Sequence, residues 1–199
     1  MPHIPEENAY YPERSSLFEL SDRHPHGIVD VLFIGDSLFH RALWNEFLPG
    51  FNVLNRGIGS DSTQGILQRL PKYRDYKPRN IVILAGLNDF AYKFTMDESM
   101  ANYEGILKAF RDDFSEANPV VISLLPNADG KFEAECLEFN RRLEKMCRAF
   151  SMKFVDAWSP FKAHMRDEAS TRELFAPDGL HLAGKGYQIL MDSFLDKLS

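Results

Sequence analysis

An α/β fold built on a five-stranded parallel sheet is what this chain predicts, on three observations. Short apolar runs alternate with helix-patterned segments along most of the 199 residues. No linker interrupts the alternation, so one domain is expected over residues 1–199, with 1–28 as a leading arm and short helix. Nothing repeats internally and no segment is low in complexity. Strands separated by helices imply right-handed crossovers and helices on both faces of the sheet.

Taken in order, Glu13 to Leu20 reads as the leading helix and Val29 to Ile34 as strand one. His40 to Leu48 is helical in pattern and is stopped by Pro49-Gly50. Phe51 to Leu54 is strand two, Asn55 to Ser62 a Gly- and Ser-rich loop, and Thr63 to Leu70 a helix. Strand three is Ile81 to Ala85. A helix from Asp97, its N-cap, to about Ala117 ends at Asn118-Pro119. Val120 to Leu125 is strand four, Phe132 to Phe150 a long amphipathic helix, and Lys153 to Asp156 strand five. Lys185 to Leu198 closes the fold, with Ile189, Leu190, Phe194, Leu195 and Leu198 on its apolar side.

Composition narrows the function classes. A formal charge of -6, with no cluster of Lys and Arg, argues against a nucleic-acid partner. No apolar run approaches the roughly 20 residues of a membrane span, and the N-terminus lacks a signal-peptide pattern, so a cytoplasmic location and no membrane partner are expected. Cys136 and Cys147 share one helix-patterned segment, about 16 Å apart along its axis, which is beyond disulfide reach. No Cys or His spacing suggests a metal site.

In open parallel sheets, function sits on loops leaving the carboxyl ends of strands. Three such loops have unusual content: Asp36-Ser37 after strand one, Gly57-Ile58-Gly59-Ser60-Asp61 after strand two, and Gly86-Leu87-Asn88-Asp89 after strand three. If strand one lies between two and three, they converge at the switch point. Ser37 is a candidate nucleophile, although a serine in such a turn also serves as an ordinary N-cap. A serine needs a base, and the base needs an orienting group. Pro177-Asp178-Gly179-Leu180-His181 offers both within one turn, though Asp and His there also suit a plain surface turn. Backbone N–H groups at Ser37 and in the Gly57 to Ser60 loop, and the Asn88 amide, could receive a developing oxyanion. Asn88-Asp89 is equally an ordinary turn pair.

Four blocks in order, Gly35-Asp36-Ser37-Leu38, Asn55-Arg56-Gly57-Ile58-Gly59-Ser60-Asp61, Gly86-Leu87-Asn88-Asp89 and Asp178-Gly179-Leu180-His181, resemble those of the GDSL or SGNH hydrolases. The resemblance runs from about Val29 to the end of the chain. It implies a three-layer αβα, flavodoxin-like fold and an esterase or lipase-like activity. It also implies Ser37 as nucleophile, His181 as base and then acid, and Asp178 as the group orienting His181. The oxyanion hole it implies is the Ser37 N–H, the Ser60 N–H and the Asn88 side chain. One position departs from the family pattern: Ser60 stands where the family has glycine. A positive φ there would strain a residue with a β-carbon by about 1–3 kcal/mol without removing its N–H.

Other functions fit parts of the chain. Gly57-x-Gly59 follows a strand, as in a dinucleotide-binding loop. However, Ser62 replaces the third glycine, the loop follows the second strand, and no acidic residue closes strand three. His40 is a second candidate base, three residues after Ser37, and also reads as a partly exposed helix histidine. The same acyl-enzyme would serve an acyltransferase, and an inert relative would keep the fold as a binding protein.

With no long insertion between blocks to act as a lid, the site is expected to be open, taking small esters with acetyl or short acyl groups. Phe90, Tyr92 and Phe94 are candidates to line an acyl pocket or to pack on the adjacent helix. Phe39 and Trp44 are expected in the core, and Trp158, Phe161 and Phe175 could wall the other side. Ser37, His181 and water complete a catalytic cycle, so no cofactor or metal is expected. Nothing in the sequence sets the oligomeric state.

Overall fold

The computed structural model describes residues 8–199. Its five strands form one parallel sheet flanked by helices, in the order β2-β1-β3-β4-β5. Two compact units divide the chain, one running to Pro119 and including Ser199, the other spanning Val120–Leu198.

The first unit opens with α1 (Tyr10–Ser21), then β1 (Val31–Gly35), α2 (Ser37–His40) and α3 (Trp44–Phe47). It continues with β2 (Val53–Gly57), α4 (Thr63–Arg69), a 3-10 segment (Leu70–Tyr76), β3 (Asn80–Leu84), α5 (Leu87–Ala91) and α6 (Met96–Asp113). β1 lies between β2 and β3, with Gly35 level with both Gly57 and Leu84. The three strand ends, and so the three loops picked out by composition, leave the sheet side by side. β1 and β3 are buried along their whole length, which is why they read as continuous apolar runs. Phe33 stacks on Trp44 with centroids 4.0 Å apart, and Phe39 meets both rings edge-on, so Phe39 and Trp44 are core as expected.

Four expectations need correction here. The single helix expected over His40 to Leu48 is two short ones, α2 and α3. The Phe39 carbonyl, which a continuous helix would pair with the Leu43 amide, instead accepts from Asn55 Nδ2 at 2.7 Å and Trp44 Nε1 at 3.2 Å. Strand two starts and ends later than expected, because β1 pairs with Val53–Gly57 and leaves Phe51 exposed. The N-cap of α6 is Thr95, not Asp97. Thr95 and Glu98 form a reciprocal capping box, with Glu98 N–H on Thr95 Oγ1 at 3.2 Å and Thr95 N–H on Glu98 Oε2 at 2.8 Å. The same helix ends at Asp113, where Phe114 leaves helical geometry and buries its ring edge-on to Phe110.

The second unit takes in β4 (Asn118–Ile122, whose first two residues belong to the first unit), α7 (Glu133–Ala149) and β5 (Lys153–Val155). α8 (Trp158–His164), α9 (Glu168–Leu174), α10 (Gly184–Phe194) and a 3-10 turn (Leu195–Lys197) follow. α7 buries Cys136, Phe139, Leu143 and Cys147 on one stripe. Both thiols are free, and burial pushes each up to about 12, so they behave as small apolar core residues. Trp158 and Phe161 are core as well, with Ser123 Oγ accepting from the Trp158 N–H at 3.1 Å.

Candidate active site

Ser37 is the first residue of α2, immediately beyond β1. Asp36 caps the helix by accepting the Leu38 N–H on Oδ1 at 3.0 Å. A side chain on Gly35 would lie 2.5 Å from the Leu84 carbonyl, so only glycine lets the chain turn there against β3. Gly57 is under the same constraint, because a β-carbon would meet the His40 amide nitrogen at 2.4 Å. Asn55 ties the two strand ends together. Its Nδ2 donates to Phe39 O, and its Oδ1 accepts the Gly57 N–H at 2.9 Å.

The loop after β2 turns between Ile58 and Asp61, where the Asp61 N–H donates to Ile58 O at 3.2 Å. Ser60 is the third residue of that turn and has φ 58. Such turns favour glycine at this position, and this explains in physical terms why Ser60 stands out. The Tyr92 hydroxyl donates to Ser60 O at 2.9 Å and holds the peptide in place. Tyr92 thus has a role that its place in the sequence did not suggest. Phe94 borders a separate small cavity of about 170 Å³ with Gln64 and Asn102. Asn88 Nδ2 donates to Asp61 O at 2.9 Å, which fixes the rotation of its amide. Ser60 N–H and the second Nδ2 hydrogen of Asn88 have no partner among the described residues.

Beneath this loop lies a buried ion pair that sequence reading missed. Asp61 and Arg69, each 1% exposed, pair at 2.8 Å. The Arg69 guanidinium also donates to Arg56 O at 2.7 Å, Gly35 O at 3.2 Å and the Tyr73 hydroxyl at 2.9 Å. One side chain therefore ties the ends of β1 and β2 to the Ser60 loop. The signal was faint, a lone arginine inside a helix-patterned segment. Asp36 is also buried. Desolvation, with the Asp61 and Asp89 carboxylates nearby, raises it to about 7. Asp89 accepts from both Thr63 N–H and Thr63 Oγ1, so it joins the α5 turn to the start of α4.

His40 Nδ1 accepts the Gly59 N–H at 2.9 Å. Burial, then the charge of Arg14, lowers its pKa and keeps that nitrogen an acceptor. Its ring is committed to the loop backbone.

In the second unit, Asp178 and His181 pair across one turn. Asp178 Oδ2 lies 2.7 Å from His181 Nδ1, and Oδ1 accepts the N–H groups of His181 and Leu180 at 2.9 and 3.0 Å. Those backbone donors, then the imidazole, hold the Asp178 carboxyl well below the usual carboxylate range. An ionised Asp178 at this distance favours the proton on Nδ1 and leaves Nε2 as the basic nitrogen. Gly179, at φ 70, makes the turn, and its carbonyl accepts the Ala128 N–H at 2.8 Å. A Phe175–Leu182 bridge closes the base of the turn. A cleft of about 770 Å³ opens beside it, lined among others by Phe175, Ala176, Pro177, Asp129, Thr171 and Arg172. Phe175 thus contributes to a wall, while Trp158 and Phe161 do not.

Of the five predicted site residues, the structure puts Ser37, Ser60 and Asn88 on adjoining loops of the first unit and joins Asp178 to His181 in the second. Among the described residues no group of three His, Cys, Asp or Glu is placed to hold a metal ion, and no helix is long and apolar enough to cross a membrane.

Comparison with known proteins gives one consistent answer. The model of the GDSL-like lipase/acylhydrolase family matches residues 33–189. Platelet-activating factor acetylhydrolase IB subunit alpha1 of Bos taurus is 31% identical over 169 residues, covering 79% of this chain and 70% of the relative. Among solved structures, a GDSL-like lipase from Bacteroides thetaiotaomicron superposes with TM-score 0.77 at 19% identity, covering 93% of this chain and 96% of the other. An acetylxylan esterase from Geobacillus stearothermophilus does so with TM-score 0.70 at 18% identity, covering 86% and 94%. These two share the fold.

Proposed function

Because this chain belongs to the GDSL-like lipase/acylhydrolase family and is a carboxylic ester hydrolase, we propose that it removes acetyl or short acyl groups from small esters through an acyl-enzyme on Ser37. In this mechanism His181 Nε2 takes the Ser37 hydroxyl proton as Oγ attacks the ester carbonyl. Asp178 keeps the Nδ1 proton in place and stabilises the imidazolium that forms. The Ser37 N–H, the Ser60 N–H and the Asn88 amide receive the oxyanion. His181 then returns its proton to the leaving alcohol, and water repeats the sequence to release the acid. No cofactor enters the cycle.

The observation that carries this reading is the Asp178–His181 contact at 2.7 Å, in a chain of this family that places Ser37 directly beyond the carboxyl end of β1. The Ser60 N–H and the second Asn88 Nδ2 hydrogen, which have no partner among the described residues and are fixed on adjoining loops, support the oxyanion assignment. The family match runs unbroken through both compact units, which supports one hydrolase domain over the chain. The short acyl group is supported by the 31%-identical relative, an acetylhydrolase by name. Rates on chromogenic esters from acetyl to decanoyl, with Ser37→Ala as control, test this. Turnover should be greatest for acetyl or propionyl and absent in the variant. A maximum at octanoyl or decanoyl would contradict the short-acyl assignment.

A further inference from the structure

The segment from Asn8 to Asp22 lies outside the residues matched by the family model, yet it grips the Ser60 loop at several points. Asn8 is buried, and its Nδ2 donates to Gly59 O at 2.7 Å. Arg14 Nε donates to Gly57 O at 3.3 Å. The Tyr10 ring covers Gly59 so closely that a β-carbon there would meet it at 3.0 Å, and it sits edge-on to His40. His40 in turn holds the Gly59 N–H. The far end of α1 is anchored on Arg56, whose guanidinium lies over the Phe18 ring and pairs with Asp22 at 2.7 Å.

Both backbone polar groups of Gly59 are thereby taken by side chains, and its carbonyl shares a peptide plane with the N–H of Ser60, the residue held at φ 58. We propose that α1 and Asn8 form a brace that sets the direction of the Ser60 N–H, and that Asn8 and Arg14 are positioning residues for the acyl-transfer step. The inference rests on the oxyanion role given to Ser60 above. A left-handed non-glycine residue persists only where its surroundings over-determine it, and this brace, together with Tyr92, supplies that determination. Because an oxyanion donor acts on the tetrahedral species and not on the ground-state ester, a loosened brace lowers kcat while leaving KM unchanged.

Asn8→Asp is the discriminating variant. It retains the oxygen that accepts the Tyr10 N–H at 3.0 Å but removes the donor to Gly59 O. Steady-state kinetics on an acetyl ester with the full chain should give a kcat roughly tenfold lower, KM within about twofold, and a roughly tenfold weaker trifluoromethyl ketone inhibitor, whose hemiketal oxyanion needs the same donors. Arg14→Ala should lower kcat severalfold and Arg14→Lys should restore most of it. An unchanged kcat in Asn8→Asp, or a lower kcat with unchanged inhibitor affinity, would overturn the brace alone. Hydrolysis by wild-type chain that survives Ser37→Ala would overturn the Ser37 reading and the brace with it.

Discussion

The nucleophile side and the base side of the proposed site are built in opposite ways. Around Ser37 and Ser60, position depends on partners far away in sequence: Arg69 reaches back 34 residues to Gly35 O, Asn88 reaches 27 to Asp61 O, and Asn8 spans 51 to Gly59 O. Around His181, every polar contact of Asp178 named above falls within three residues. The first arrangement is buried and cooperative, so it couples activity to stability. The second is partly exposed and its named contacts are local, so dismantling them should affect folding little.

That contrast can be broken at either end. His181→Ala should cost turnover roughly 10⁴-fold or more while leaving the unfolding midpoint nearly unchanged, and Asp178→Asn should follow it at about 10³-fold through loss of the Nδ1 tautomer. A large drop in melting temperature in either variant would show that the turn is structurally coupled after all. Arg69→Met should do the reverse of Asp178→Asn. It leaves Asp61 buried without its partner and strips donors from two strand-end carbonyls, so urea unfolding should show a loss of about 3–5 kcal/mol, with activity falling because the loop moves. Wild-type stability in Arg69→Met would remove the basis for calling this side cooperative.

Asp36 refines the comparison through pH. Burial raises its pKa from 3.8 to about 7, so over that interval the folded chain holds a proton that the unfolded chain releases. Its contribution to stability is therefore complete below about pH 4 and is lost as pH rises through about 7. Asn can keep the cap to Leu38 N–H without ionising. Asp36→Asn should raise the melting temperature at pH 8 by an amount on the order of a few kcal/mol in stability, a gap that closes towards pH 4. A pH-independent difference between the two proteins would contradict a neutralised Asp36.

The smallest expected effect is at Ser60. Ser60→Gly relieves the left-handed strain but adds chain entropy in the unfolded state, so stability should shift by no more than about 1 kcal/mol and turnover by less than about threefold. A large gain in turnover would mean that the native loop is misplaced.

The same contrast governs what the sequence made legible. The strands themselves and the loops that carry Ser37, Ser60 and Asn88 follow from apolar runs and turn composition, which are local patterns, whereas the placing of β1 between β2 and β3 stood as a condition that the pairing met. The Asp178–His181 pair was readable because both partners lie in one turn. Arg69, Asn55 and Asn8 were not, since the contacts by which they tie the loops together, to Gly35 O, Phe39 O and Gly59 O, reach across the chain and nothing near them in sequence marks the pairing. His40 was assigned a possible role as base for the same reason: its nearness to Ser37 is visible in sequence, its hydrogen bond to Gly59 is not. The break between α2 and α3 was hidden because helical periodicity continues across it, while the Phe39 carbonyl that decides it is claimed by Asn55, 16 residues on.

The central claim is that Ser37 is a nucleophile activated by His181. Intact-mass measurement after exposure to a fluorophosphonate tests it most directly. The account predicts one adduct within minutes, mapped to Ser37 by peptide sequencing, absent in Ser37→Ala and formed far more slowly in His181→Ala. An adduct elsewhere, no adduct at all, or an undiminished labelling rate in His181→Ala would contradict it.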